Sequence, residues 1–536
     1  MVFGLARFLL SHNFFSVNEQ NHVEKAFLSS SRWRVALAGG CIVLAALAAY
    51  HNSFSGPFAF DDLDAIVKNQ AIRHLSPIWP VLSPAASGVG VMGRPVLNLS
   101  YALNYAISGL DVWSYHALNL VVHILAGLVL FGVVRRTLLR VSESFKAEAL
   151  PLALMIALIW TVHPLQTGSV TYISQRAESL MALWYLLTLY CFIRGVEGSH
   201  FWYPLVVVTS LLGMATKEVM VTAPLIVLLY DRVFVAGSWK GIFQQRRWFY
   251  LALGATWLLL VYLLLGLNAR GAGYGLGVTW WSYGLTECWV VLHYLKLAVW
   301  PHPLVFDYGP ELIGIASPLS VVALVLLVIM VLLGFLWRPR LGFAGLWFFV
   351  LLAPTSSVVP VAFEPMGENR VYLPLAGVVV LGVIGLYAWL GKRSWLVLGA
   401  LAVGGGFLTV QRNNEYRSDL SIWADTVAKV PGNARAHNNL GALLIPRQRA
   451  AEAVIEFRKA LLLSPTYVDA HNNMGCALLQ LGDTVGAIRH YQKALQLNPA
   501  NVDAHCNLGG VLAQMDRPGE AINEYRDALW LKPDYP

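Results

Sequence analysis

Along the first 410 residues, apolar side chains come in long runs, at about 33–50, 112–134, 150–162, 172–194, 201–215, 219–232, 248–267, 284–300, 316–337, 341–359, 371–390 and 394–410. Runs near ~20 residues with few charges predict membrane-spanning helices, because a helix satisfies its own backbone where no water can. The loop cations set the direction: Arg135, Arg136 and Arg140, then Arg194, then Arg232, Lys240, Arg246 and Arg247, then Arg338 and Arg340, then Lys392 and Arg393 belong on the cytoplasmic side. If every run crossed, the one at 284–300 would lie between two outer loops. The stretch "YGLTECWVVLHYLKLAVWPHP" is therefore read as lying along the outer interface or re-entering, a depth that suits Trp and Tyr. Eleven crossings remain, which puts residues 1–32 in the cytoplasm as a lead-in and the C-terminal part outside.

After residue 430 the pattern changes to a period of 34: "AHNNLGALL" from Ala436, "AHNNMGCALL" from Ala470 and "AHCNLGGVLA" from Ala504. Gly441, Gly475 and Gly509, then Phe457, Tyr491 and Tyr525, then Pro465, Pro499 and Pro533 keep the same interval. Small residues at a helix crossing, an aromatic on the second helix and a closing Pro resemble the tetratricopeptide repeat. "IWADTVAKVPGN" places Trp423 at the Phe457 position, so half a repeat caps three full ones. Asn439, Asn473 and Asn507 also recur at the period. They are candidate acceptor-binding residues, since solenoid concave faces bind extended segments; the other reading is helix packing. The predicted fold is all-α: a polytopic membrane bundle over 33–410 with a long first outer loop at 51–111, then a repeat solenoid over 411–536.

Composition agrees with this division. Of 536 residues 57% are hydrophobic and 13% charged, about half the charge of an ordinary soluble domain. The net charge of +8 is spread singly between apolar runs, so no basic face is available for nucleic acid. The scattered Cys41, Cys191, Cys288, Cys476 and Cys506 make neither a disulfide framework nor a metal pair.

The predicted topology collects acids and bases on the outer side. Asp61, Asp62 and Arg94 lie in the first loop; His163, Gln166 and Arg176 in the next turn; Lys217 and Glu218 in another; Glu368 and Arg370 before the eleventh run. Charge beside hydrocarbon is costly and tends to be paired or functional, so these loops form a candidate site. Each residue also has a plainer reading. "DD" can cap a short helix, Arg370 can anchor a membrane edge, Arg94 and Arg176 can pair with Glu178 or a first-loop Asp, and Lys217–Glu218 can be a structural pair. His163 before Pro164 can make a turn. His116 and His123, seven apart on one helix face, read as packed side chains, and no catalytic metal is expected.

The stretches "FDDLDAI", "GRPVLNLSYALNY", "YHALNLVVH", "HPLQTGSVTYISQRAESL", "KEVMVTAPLIVLLYD", "WPHPLVFDY" and "ENRVYLPLAG", in this order from residue 60 to 377 and followed by the repeats, resemble the GT-C glycosyltransferases. Within these they are most similar to the transmembrane-and-tetratricopeptide protein O-mannosyltransferases. The repeat array is shorter than in eukaryotic members, so the chain looks like a prokaryotic relative, of a bacterial cytoplasmic membrane with the repeats outside; in a eukaryote the membrane would be that of the endoplasmic reticulum. The resemblance implies one inverting displacement that moves a sugar from a polyprenyl phosphate to a Ser or Thr hydroxyl of a protein held by the repeats. An acid of the first loop is then the base, Asp61 with Asp62 orienting it or exchanging roles. Arg370 is first choice for the donor phosphate, a planar fork that Glu368 could orient, with Arg94, Arg176, His163 and Lys217 next. No cofactor is implied beyond the lipid-linked donor. A transporter, or a repeat scaffold without catalysis, is the alternative; polar groups gathered at one surface rather than at the bilayer midplane favour the enzyme.

Overall fold

The computed structural model describes residues 17–83, 90–141, 143–264, 278–313, 317–356, 361 and 364–533, with side chains from residue 32 onward. The regular structure of these residues is helical. The N-terminal part of the lead-in, residues 1–16, lies outside the described residues. Each apolar run becomes a helix, and the first loop carries one more: α1 Val17–Tyr50, then within the loop α2 Pro95–Ser108, then α3 Trp113–Val141, α4 Ala149–Thr161, α5 Arg176–Glu197, α6 Trp202–Met214, α7 Ala223–Tyr230, α8 Trp239–Leu264, α9 Trp280–Val299, α10 Pro318–Trp337, α11 Pro339–Leu352, α12 Leu375–Leu390 and α13 Ser394–Glu415. Among the described residues six helices are long and apolar enough to cross a membrane, or seven if the pair Ala149–Thr161 and Pro164–Val170, bent by 53°, counts as one. The count falls short of eleven because α6 and α11 are short apolar helices, α7 is shorter still, α4 counts only with its bent continuation, and α12 and α13 are taken as one stretch, Leu375–Glu415.

The centre of the bundle is α3, α4 and α5, joined by polar contacts as well as packing. His123 on α3 meets the Tyr372 hydroxyl at 2.7 Å and the Thr161 carbonyl at 2.9 Å, and the Trp160 indole donates to the Tyr372 carbonyl at 3.0 Å. His116, one face-repeat earlier, meets the Gly56 carbonyl at 2.8 Å. Both histidines thus fasten loops to the bundle. At the far end of α3, Arg136 and Arg140 pair with Glu197, and Asp231 takes a two-pronged bond from Arg246 at 2.8 and 2.9 Å.

Helix α13 runs on to Glu415, past the expected boundary at 410, because its polar last turn is buried and paired. Asn413 accepts from the Thr171 hydroxyl at 2.6 Å and donates to the Ala49 carbonyl at 3.1 Å, and Arg412 reaches Asp425 at 3.0 Å. Helix α14, Asp419–Lys429, is the capping half repeat, and the full repeats are α15 Ala434–Leu444 with α16 Ala450–Leu463, α17 Val468–Gln480 with α18 Thr484–Leu497, and α19 Val502–Gln514 with α20 Pro518–Leu531.

The period has a packing cause. A Cβ built on Gly475 would stand 2.5 Å from a ring carbon of Tyr491, and Gly441 and Gly509 face Phe457 and Tyr525 in the same way. Gly475→Ala is expected to destabilise the solenoid by about 1–3 kcal/mol, the usual cost of overpacking a tight contact, read as a lower melting temperature by circular dichroism. The asparagines cross from repeat to repeat: Asn473 donates to Asn438 at 3.0 Å and Asn507 to Asn472 at 2.9 Å, while Asn439 accepts from Asn438 at 3.2 Å. Their amides therefore work partly in helix packing.

Candidate active site

Five separate loops and the first repeat meet at one cavity of about 360 Å³. The first loop contributes Phe60, Asp61, Asp64 and Arg94; the turn before α5 contributes Tyr172 and Gln175; Lys217 and Glu218 come from before α7; Glu364, Asn369 and Arg370 come from before α12. The strap that follows α9 contributes Phe306 and Asp307, and Arg435 comes from the first turn of α15.

Asp61 and Asp62 are neighbours in sequence with different work. Asp62 is buried and accepts the backbone N–H groups of Ala59 at 3.0 Å and Ser174 at 2.6 Å, so it ties the first loop to the turn before α5. It starts a helical turn but gives that turn no side-chain cap. Asp61 faces the cavity, its backbone N–H donating to the Tyr172 hydroxyl at 3.0 Å. Burial, helped by the nearby Glu364 carboxylate, pushes Asp61 up to about 7, against Tyr172 and Arg435, which favour the charged form. Burial also pushes Asp62 up to about 7, against the backbone N–H groups it accepts. Asp64 pairs with Lys68 at 2.9 Å on an exposed face.

The cations divide likewise. Arg370 lines the cavity and is fixed from behind by the carbonyls of Thr355 at 3.2 Å, Pro365 at 3.1 Å and Glu364. Arg94 forms a fork with Glu218 at 2.9 and 3.0 Å, and Lys217 reaches the buried Glu178 at 2.6 Å; both remain in the cavity wall. Arg176 is not among the cavity residues. It is fully buried, bonded to Asn119 at 2.5 Å, Ser100 and the Tyr115 carbonyl at 3.0 Å, with Tyr101 and Tyr115 against its guanidinium. His163 meets the Ala298 carbonyl at 3.2 Å and accepts the Leu165 N–H, so it shapes its own turn. Glu368 accepts from the Val305 N–H at 2.6 Å and the Tyr308 hydroxyl at 2.8 Å, fastening the strap instead of orienting Arg370.

Glu364, Asp307, Tyr172 and Arg435 were not singled out in the sequence. For Arg435 a signal was present: Asp469 and Asp503 stand at its place one and two periods on, so the first repeat alone carries a cation there.

Asp61, a carboxyl of raised proton affinity, thus shares one cavity at the base of a repeat solenoid with the guanidinium groups of Arg94, Arg370 and Arg435 and the Lys217 ammonium. Comparison with known proteins adds a lineage. The TPR repeat profile matches residues 475–516, and the Tetratricopeptide repeat profile matches 434–467 and 502–535. The chain is 24% identical over 442 residues to a Protein O-mannosyl-transferase of Caenorhabditis elegans, covering 78% of this chain and 61% of that one. It is 32% identical over 206 residues to Protein O-mannosyl-transferase TMTC3 of Mus musculus, covering 36% and 21%. The chain therefore spans at most 61% of the length of these two relatives. Among solved structures, ArnT of Cupriavidus metallidurans bound to undecaprenyl phosphate aligns with 92% of this chain and 88% of its own at 15% identity and a TM-score of 0.40. An overlap of 442 residues is far longer than the repeat region can supply, so the chain is similar in its membrane part as well as its repeats to the protein O-mannosyl-transferases, the family its loop motifs resemble.

Proposed function

We propose that the chain is a membrane glycosyltransferase that moves one sugar from a polyprenyl phosphate to a Ser or Thr hydroxyl of a protein, on the outer face of the membrane. The observation that carries this reading is Asp61 in one cavity with Arg94, Lys217, Arg370 and Arg435. In the reaction the acceptor oxygen gives its proton to Asp61 and bonds to the anomeric carbon, whose bond to the phosphate oxygen breaks. The electron pair stays on the leaving polyprenyl phosphate. Fixed cations at that oxygen stabilise the charge as it forms, and need no reorganisation because their positions are already held by backbone carbonyls and paired acids. The cavity lining supplies both an acid and cations, and in this reading the repeats offer the acceptor a surface that carries Asn439, Asn473 and Asn507.

The test uses the full chain in lipid nanodiscs with a radiolabelled polyprenyl-phosphate mannose and a Ser/Thr-rich peptide. Label is expected on the peptide. A polyprenyl phosphate should also raise the melting temperature, since ligand at a hundred times its Kd stabilises by about 2.7 kcal/mol. No transfer and no stabilisation would reject the reading in favour of a transporter or scaffold.

A further inference from the structure

Arg435 stands where the two later repeats carry Asp469 and Asp503, on the first turn of α15. Nothing in repeat packing asks for a cation there, since the later repeats close with an acid at that position. Its guanidinium instead leaves the solenoid. It forms a two-pronged pair with Asp307 of the strap at 2.7 and 2.5 Å, and lies 5.6 Å over the ring of Phe60, the residue before Asp61. The start of the helix is fixed to the same strap: Asn433 caps α15 by accepting the Ala436 N–H at 2.9 Å and donates to the Asp307 carbonyl at 2.9 Å. Phe306 then packs between Trp423 of the half repeat, at 5.3 Å, and Tyr172, at 4.9 Å, whose hydroxyl receives the Asp61 N–H. The repeat domain therefore touches Phe60 directly and reaches Tyr172 through Phe306, and it brings a charge into the cavity.

We propose that Arg435 is a positioning residue for the reaction at Asp61, so that the repeat domain is a wall of the reacting site as well as the holder of the acceptor. The inference rests on the reading of Asp61 as the base. The groups acting on Asp61 are Asp62 beside it, Tyr172 from the turn before α5, Glu364 from before α12, Asp307 from the strap and Arg435 from the repeat, and the same cavity is lined by Asp64, Arg94, Lys217, Glu218 and Arg370. Asp307 and Arg435 form a pair of opposite sign, and that gives the proposal a sharp consequence. Losing Arg435 removes a cation and leaves the Asp307 charge uncompensated, so Asp61 holds its proton to higher pH. Losing the Asp307 charge leaves Arg435 uncompensated, so Asp61 releases its proton at lower pH. Damage to the fold would not reverse sign between two partners of one ion pair.

The experiment compares wild type, Arg435→Gln, Arg435→Lys and Asp307→Asn as full chains in nanodiscs. The first readout is the pH dependence of kcat/KM for transfer. The midpoint of the acid limb should rise by about one pH unit in Arg435→Gln, the lower end of what a neighbouring charge produces. It should fall in Asp307→Asn and stay closest to wild type in Arg435→Lys. The second readout is carbodiimide labelling of Asp61, followed by peptide mass spectrometry across pH, which reports the protonated carboxyl without any turnover. Coincident midpoints in wild type, Arg435→Gln and Asp307→Asn, or shifts of the two variants in one direction, would overturn the proposal. If wild type transfers no sugar, the proposed reaction fails, and the labelling still decides whether Arg435 sets the charge state of Asp61.

Discussion

Asp61→Asn is expected to lower sugar transfer by about 10²- to 10⁴-fold, the usual contribution of a positioned general base, while the chain stays folded. The amide has the shape of the carboxyl and cannot take the acceptor's proton. It also removes a charge the fold disfavours. Between the ordinary carboxylate value of 3.8 and about 7 the folded chain keeps a proton that the unfolded chain has released. This group's contribution to stability therefore falls as pH rises through that window, and Asn removes the fall. Melting of the variant at pH 8 should equal or exceed that of wild type, so lost transfer cannot be put down to unfolding. In wild type the same value places the acid limb of activity near pH 7: below it Asp61 is protonated and the rate drops about tenfold per unit. A variant with wild-type transfer would remove Asp61 from the reaction. Asp62→Asn differs in kind, because Asp62 accepts two buried N–H groups and its loss loosens the loop that carries Asp61.

The period of 34 and the apolar runs were enough to read the architecture, because both are repeated many times along the chain and each repetition corrects the others. A run of twenty apolar residues has few alternatives to a helix, and Gly475 opposite Tyr491 can be inferred from two other copies of the same contact. The convergence of the loops at one cavity was legible for a related reason: alternation of loop charge predicts which loops share a side. Which loop residue faces the cavity was not legible. Arg94 and Arg176 are the same residue type in loops of the same side, yet one lines the cavity and the other is wrapped by Tyr101 and Tyr115. That choice depends on a few ångströms of backbone placement, which no spacing encodes. Asp307 and Glu364 escaped notice because a lone acid in a loop carries no pattern. Arg435 did carry one, as a break in an otherwise regular period, and a solenoid position that changes charge in one copy is a place to look for a contact beyond the solenoid.

Arg176→Leu should be among the most destabilising single substitutions in the membrane part. The guanidinium sits in full burial at the start of α5, with donors on the Asn119 amide oxygen, the Ser100 carbonyl and hydroxyl, and the Tyr115 carbonyl. It therefore joins α2 and the first turns of α3 to the start of α5. Leu fills part of the volume but leaves those acceptors without a donor, at about 1–3 kcal/mol for each one that water cannot reach. Two such losses already approach the margin on which many domains fold. Arg176→Lys keeps one charge and one stem but lacks the planar fork that reaches three residues at once, so it should fall between Leu and wild type. The measurement is thermal unfolding in detergent followed by Trp fluorescence, together with KM for the polyprenyl donor in whatever fraction remains folded. Arg176 lies outside the cavity, so the folded Lys variant should bind donor with wild-type KM and melt earlier. A wild-type melting temperature with a raised KM would instead mean that the guanidinium leaves its tyrosine wrapping to meet the phosphate.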